Sequence, residues 1–328
     1  MSDELRVKFW GVRGSYPTPG AGTVKYGGNT ASVEIRAGER TIILDAGTGI
    51  IPLGRELARH ASAQKRALEV VLLFSHLHHD HTQGFPFFVP AYMPNARLHI
   101  FGPGGTPETL IRVLEQNQSS EAFPVSLREM ASSKEIHSVR ESQVIVWDET
   151  GVRLTESTVG LENDAVIIRI HKSYAHPGGV YVYRITWRGK SVVYATDTEG
   201  YVGTDRRLVA FARAADMLIH DAQYSEEHYR GGLSGFPSTQ GYGHSTVTMA
   251  CEVAAASEAG QLILFHHDPA YSDEMVARRE ASAKTRFGKA QAAYEGLEIV
   301  LHGESKITER LQSSSPVPLS QREREQWK

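Results

Sequence analysis

Residues 75–81 read Ser75-His76-Leu77-His78-His79-Asp80-His81, directly after the apolar run VVLLF at 70–74. Three of these imidazoles and the carboxylate form the pattern HxHxDH, a donor set suited to a divalent metal of borderline softness. His76 and His78 alternate on an extended backbone and can face one ion. Asp80 and His81 follow on a tighter turn and can face a second. The bland alternative is a His-rich surface turn that binds metal adventitiously. Against it stand the buried-looking strand in front and a supply of further candidate ligands downstream. His176 heads the strand-like HPGGVYVYRI (176–185), Asp197 closes VVYATD (192–197), and His266 follows LILF (262–265). Singly, such a His is more often a core residue and such an Asp a turn residue. Their shared position at strand ends gives them weight.

That regularity extends outward. Short β-branched runs occur at 31–36, 41–45, 70–75, 97–102, 165–174, 180–187, 191–197, 217–221, 261–267 and 297–303, and the segment LRVKFWG near the start is also strand-like. Helical patterns fall at 51–62, 106–117, 245–258 (Ser245 as N-cap) and 273–294. Strands with interspersed helices imply layered α and β packing. Strands that end in imidazole or carboxylate side chains place them along one rim of a sheet.

Composition bounds the reading. The 328 residues are 41% hydrophobic and 22% charged, enough for a large core. No apolar run approaches the roughly 18 residues of a membrane span, and the start carries no signal-like segment. The single cysteine, Cys251, fits a reducing, cytoplasmic setting. A net charge of −3 weighs against a grip on long nucleic acid. Residues 313–328, polar and Pro-interrupted, read as a solvated tail, and the rest as one domain over 1–312.

With HLHHDH, the aspartate of LDAGTG (Asp45), His176, Asp197 and His266 in that order, the chain resembles the metallo-β-lactamase superfamily, in its ribonuclease Z-like phosphodiesterase branch. The resemblance runs to about Lys306. It implies an α+β fold, an αββα sandwich of two facing sheets with helices outside and metals at one edge. It implies two divalent ions per chain, zinc by donor type, with Mn2+ or Fe2+ as alternatives. His76, His78 and His176 would bind the first, and Asp80, His81 and His266 the second. Asp197 would bridge them, and Asp45 would orient an inner ligand. His267 competes with His266 for the last position, and His266 is preferred as the first residue beyond the apolar strand. Asp197 stands where β-lactam hydrolases of the superfamily carry a thiol. His78 stands where its diiron oxidoreductases prefer Glu.

Two further segments resemble ribonuclease Z motifs: His220-Asp221-Ala222-Gln223, and Gly243-His244-Ser245-Thr246 at a helix start. There the carboxylate orients a histidine acting at the leaving group, so Asp221 and His244 join Asp80, which orients the nucleophile, as catalytic candidates. The structural alternative is that His244 caps a helix and Asp221 ends a strand. FWGVRGSYPTPG (9–20) and KYGGNTAS (25–32) resemble the opening of ribonuclease Z-like proteins. Arg13 and Asn29 could there meet a phosphate or pin loops together. Ribonuclease Z proteins that process transfer RNA carry a protruding basic arm, and no equivalent is legible between Tyr92 and Val166. Transfer RNA is therefore a doubtful substrate, and a small phosphodiester such as a cyclic nucleotide the expected one. Residues 224–243 read as a lid or wall. The aromatic run at 84–93 reads as core packing, the alternatives being a homodimer surface or a flap stacking on a base. Rivals are an ester, thioester or lactone hydrolase on the same scaffold and a slow-turnover regulator that binds a metabolite.

Overall fold

Apolar runs with no polar alternation, such as VVLL at 70–73 and LILF at 262–265, are what strands covered on both faces require. The structure, a computed structural model, describes residues 4–302 and 307–310, apart from 121–122, 162–163, 201–203, 233–234 and 236. The 313–328 tail lies outside them.

The elements that bear on the site are, in order, β1 (Leu5–Gly11), β2 (Ser32–Ala37), β3 (Arg40–Leu44), α1 (Ile50–Gln64), β4 (Leu68–Leu73), α2 (His79–Thr82), β5 (Ala96–Gly102), α3 (Pro107–Gln116), β6 (Ser133–Ser138), β7 (Val144–Asp148) and β8 (Gly151–Thr155). There follow β9 (Val166–Ser173), β10 (Val180–Trp187), β11 (Lys190–Ala195), α4 (Arg206–Ala212), β12 (Met217–Asp221), α5 (Glu226–Tyr229), α6 (Val247–Ala256), β13 (Leu262–Phe265), α7 (Asp273–Arg286), β14 (Ala290–Ala292), β15 (Glu298–Leu301) and β16 (Ile307–Arg310). They form two eight-stranded mixed sheets, ordered β16-β15-β1-β2-β3-β4-β5-β6 and β14-β13-β12-β11-β10-β9-β7-β8.

Alternate residues of each buried strand feed different layers. Ile42, Leu44, Val71 and Leu73 meet Tyr194, Ile219, Ile263 and Phe265 between the sheets. Their neighbours Ile43, Val70 and Leu72 pack outward on Leu53 and Leu57 of α1 and Leu110 and Leu114 of α3. On the other side Val193, Leu218, Leu262 and Leu264 pack on Val247, Ala250 and Ala254 of α6. This is the αββα sandwich the sequence implied.

Strands β3 to β6 run parallel, as do β11 to β14, so each set ends at one rim. The β9–β10 turn falls at the rim where β11 ends, because β10 is antiparallel to both β9 and β11. Buried hydroxyls join the two sheets there: Tyr183 OH donates to Phe74 O at 2.8 Å, and Tyr194 OH to Asp45 Oδ2 at 2.8 Å.

Two local expectations need correction. The helix expected over 273–294 stops at Arg286, and 290–292 instead pair with β13 as the edge strand β14. The open edge of a buried parallel strand offers hydrogen bonds that outweigh helical continuation past Gly288. Nor does Ser245 cap α6. Thr246 does, accepting from Met249 N, while Ser245 donates its hydroxyl to Thr198 O. The polar edge strands β6 and β8 left little sequence signal, since only partly buried faces are available at the sheet margin.

Candidate metal centre

β4 carries the chain to the rim, and His76 turns inward there with 3% of its surface exposed. His78 is still extended (φ −65°, ψ 157°), and the single helical turn α2 then brings Asp80 and His81 inward. His79, on the outer side of that turn, is exposed. Asp45, Asp197 and His266 all sit just past strand ends with φ of 62°, 51° and 61°, a left-handed backbone that side chains other than Gly seldom adopt. Such strain collects at functional sites, where surrounding structure holds it in place.

The rim gathers two trios. The ligand atoms of His76, His78 and His176 lie within 4.8 Å of one another, and so do those of Asp80, His81 and His266. Asp197 stands between. Its Oδ1 is 3.7 Å from His76 Nε2 and 4.0 Å from His176 Nε2, while its Oδ2 is 3.3 Å from His81 Nε2 and 3.4 Å from His266 Nε2. Asp80 Oδ2 is 3.3 Å from His81 Nε2 and 3.2 Å from His266 Nε2. The buried Nε2 of His76 has no hydrogen-bond partner. Nitrogen lone pairs converging this closely, one of them orphaned, fit cations better than each other.

A second layer fixes which nitrogen each ring presents. His81 Nδ1–H donates to Asp45 Oδ2 (2.8 Å), His266 Nδ1–H to Gln223 Oε1 (2.8 Å) and His176 Nδ1–H to Gly243 O (3.1 Å). Ser75 donates its only hydroxyl proton to Asp45 Oδ2, so its Oγ accepts from His76 Nδ1–H at 3.1 Å. The Nε2 atoms of these four rings are thereby left facing the centre, whereas His78 presents Nδ1, 3.1 Å from His176 Nε2. Asp45 is wholly buried and also takes Ser75 N and Tyr194 OH. Asp45→Asn replaces an acceptor with a donor against His81 and is expected to lower metal affinity roughly 10–100-fold, the usual worth of such an outer partner. Competition with a metal-sensitive dye would measure it, and an unchanged affinity would mean that Asp45 is structural only.

Charge is concentrated here. Burial drives His76 well below its ordinary pKa, and the neighbouring His81 adds to this. Burial also pushes Asp197 up, but His266, His81 and His76 more than reverse it and hold the carboxyl well below its usual range. At His81 burial pulls down, and Asp80, Asp197 and Asp45 outweigh it, so its pKa rises. A proton and a metal ion compete for such a nitrogen.

Beside the trios, His244 Nδ1–H donates to Asp221 Oδ2 at 2.7 Å. Asp221 is anchored by three backbone donors, the N–H groups of Asp197, Gln223 and Ser245. The His244 ring stacks on His266 with centroids 5.0 Å apart. Burial lowers its pKa, yet Asp221, then Asp197 and Asp80, carry it up to about 9. Glu199 accepts from Gly241 N, Gly243 N and Tyr229 OH, tying the segment before His244 to the loop after β11. A side chain at Gly243 (φ 88°) would run into the His176 ring. Of the expected wall at 224–243, the described part places the Tyr224 ring 5.8 Å from that of His244.

The other candidates fall elsewhere. His267 turns away and donates Nε2–H to Ala293 O at 2.9 Å, so His266 is the member of the pair that reaches the cluster. Arg13 is fully buried and binds the carbonyls of Gly27, Asp268 and Tyr271, and Asn29 binds Glu295, so both pin loops. Phe85 and Phe88 pack in the core, while Phe87 is 52% exposed. Sequence reasoning missed Ser15, whose N–H donates to Asp80 Oδ2 at 2.7 Å, along with Gln223 and Glu199. The quoted Gly14-Ser15 held one hint, since a side chain at Gly14 would strike His266.

Residues 40–267 match a family model described as Beta-lactamase superfamily domain. A ribonuclease Z of Picrophilus torridus is 24% identical over 326 residues, covering 91% of this chain and 96% of that protein. Among solved structures, the metallo-beta-lactamase fold protein YhfI from Bacillus subtilis superposes with a TM-score of 0.61 at 20% identity, over 92% of this chain and all of that one. The short form of human tRNase Z superposes with a TM-score of 0.57 at 18% identity, over 90% and 98%.

Proposed function

The chain belongs to the beta-lactamase superfamily as a metal-dependent hydrolase related to ribonuclease Z, and from that membership we propose that it cleaves a small nucleotide phosphodiester with two zinc ions. His76, His78 and His176 would hold one ion and Asp80, His81 and His266 the other, with Asp197 placed between the two trios. When bound, such a pair supplies an activated water and neutralises charge on the phosphoryl oxygens. Asp80, fixed by Ser15 N–H, orients the attacking water. His244, its Nδ1–H held by Asp221, presents Nε2–H to the departing oxygen and delivers the proton an alkoxide needs near neutral pH.

The observation that carries this reading is the 2.7 Å pair of Asp221 and His244 set against the metal cluster. It equips the site for a poor leaving group. Relatives named ribonuclease Z bring RNA forward as a substrate. Two features favour a small one here. The net charge is −3, and the described residues between Tyr92 and Val166 contribute β5, α3 and β6 to β8 to the sandwich and its surface. The lone, buried Cys251 accords with a cytoplasmic setting, and no helix of the described residues is long and apolar enough to cross a membrane.

Metal-loaded protein assayed against cyclic nucleotides, dinucleotides and lactones tests the proposal. Phosphodiesters are expected to lead in kcat/KM by roughly 10² or more, the low end of what a positioned acid contributes. A lactone or thioester ahead would transfer the site to carboxylic-ester chemistry. Tight binding of a nucleotide with negligible turnover would favour the regulator.

A further inference from the structure

Beside His76 and His78 the rim opens into a cavity of about 540 Å³. Those two histidines line it together with Arg140, Lys172, Gly178 and Tyr181. The size is that of a small-molecule site. Its polarity is lopsided. Arg140 lies between β6 and β7, and Lys172 on β9, and neither has a carboxylate partner within salt-bridge distance among the described residues. The adjacent Glu141 is paired with His171 Nδ1 at 2.7 Å and Arg207 Nη2 at 2.6 Å, and its Oε1 also accepts the backbone N–H of Lys172 at 3.3 Å. Lys172 Nζ instead lies 4.9 Å over the ring of Tyr174. Two cations without a direct ion-pair partner among the described residues focus positive potential into the concave space they line.

We infer that Arg140 and Lys172 hold a second phosphate of the ligand. The preferred substrate is then a small nucleotide phosphodiester that carries an additional phosphate, such as a 5′-phosphorylated dinucleotide. A 3′,5′-cyclic mononucleotide has no group for this wall. The inference rests on the phosphodiesterase reading and deepens it. With one phosphate at the metal cluster, the remainder of the ligand extends along the cavity. Its outer charge meets the guanidinium and ammonium, which are charge-assisted donors suited to phosphate.

The test is equilibrium binding to metal-loaded protein, so that it does not depend on turnover. Adenosine 3′,5′-bisphosphate and adenosine 3′-phosphate each offer the cluster one phosphate, and only the first offers another. In the wild type the bisphosphate is expected to bind roughly 10–100-fold tighter, as one or two charged hydrogen bonds allow. In Arg140→Ala/Lys172→Ala that advantage is expected to vanish while the monophosphate binds as before. Each single variant should lose part of it, and added salt should shrink it in the wild type. No advantage in the wild type, or an advantage retained in the double variant, overturns the inference. An RNA hairpin that outbinds the bisphosphate through the same two residues also overturns it, by giving the wall to an RNA strand. Failure of the phosphodiesterase reading has a different signature: a 5′-phosphorylated dinucleotide and its unphosphorylated counterpart both bound and neither cleaved.

Discussion

Asp197→Ala protein is expected to lose both metal ions on dialysis and, with them, roughly 10³-fold or more of phosphodiesterase activity, since metal-ion charge stabilisation is worth several kcal/mol at about 1.4 kcal/mol per decade. The reason is geometric. Asp197 Oδ1 faces His76 and His176, and Oδ2 faces His81 and His266, so one truncation removes the donor that stands between the two trios and serves both. It also leaves four buried imidazoles facing one another without the carboxylate that offsets their charge. Seven donors are too many for one tetrahedral ion, so the loaded wild type is expected to hold about two per chain by elemental analysis. His79→Ala should keep both ions, since His79 is exposed on the outer side of its turn. His267→Ala should keep both as well, yet melt earlier, because Ala293 O then loses its buried donor at a typical cost of about 1–3 kcal/mol. An Asp197→Ala protein that retains two ions through dialysis would remove the bridge from the mechanism. Loss of metal in His267→Ala with retention in His266→Ala would move the last ligand by one residue.

Much of this architecture was legible because metal ligation and strand burial both leave dense local signals. HxHxDH packs four donors into six residues, and the runs before it, before Asp197 and before His266 are apolar enough to announce two-sided burial. What stayed hidden was whatever depends on long-range meeting. Nothing near Ser15 in sequence says that its N–H will reach Asp80, 65 residues on. Nothing in Glu199 announces that it will gather donors from Tyr229, Gly241 and Gly243. Arg13 looked as apt for a phosphate as for a loop, and only its complete burial among carbonyls decided it. The end of α7 failed for a related reason. Helical periodicity past Arg286 is a local preference, and the open edge of β13 is a tertiary demand that overrode it. The left-handed backbone at Asp45, Asp197 and His266 belongs to the same class, since Asp and His tolerate a positive φ more than most residues but do not by themselves mark where the fold demands it.

The leaving group separates the roles of the metal cluster and of His244. A nitrophenolate departs without help, because its conjugate acid is already fairly strong, whereas a ribose alkoxide must be protonated as it leaves. His244→Ala is therefore expected to lose roughly 10²–10⁴-fold on a nucleotide phosphodiester, the usual range for general acid catalysis, and much less on a bis-nitrophenyl phosphodiester. Metal content should be unchanged, because His244 Nδ1, although it lies 3.9 Å from Asp197 Oδ1 and within reach of a donor group with Asp197, Asp221 and His266, is occupied by its hydrogen bond to Asp221 Oδ2. Asp221→Asn should show the same bias more weakly, because Asp221 reaches the substrate only through the ring it holds. Its geometry adds a condition. Asp221 also accepts from the backbone N–H groups of Asp197, Gln223 and Ser245. Oδ2 takes His244 Nδ1–H and Asp197 N–H, and Oδ1 takes Gln223 N–H and Ser245 N–H, so an asparagine must turn its NH2 toward the first pair or toward the second. In the first case His244 loses the partner that stabilises its charged form, and the bias toward poor leaving groups appears. In the second Gln223 N–H and Ser245 N–H lose their acceptor, the Gln223 side chain that holds His266 shifts, and losses on the two substrates converge, with metal content falling. Steady-state kcat/KM on both substrates, read beside metal content, distinguishes the cases. For His244→Ala itself, equal losses on the two substrates at full metal occupancy would mean that the ring serves binding or structure, and would return the ester-hydrolase reading to the front.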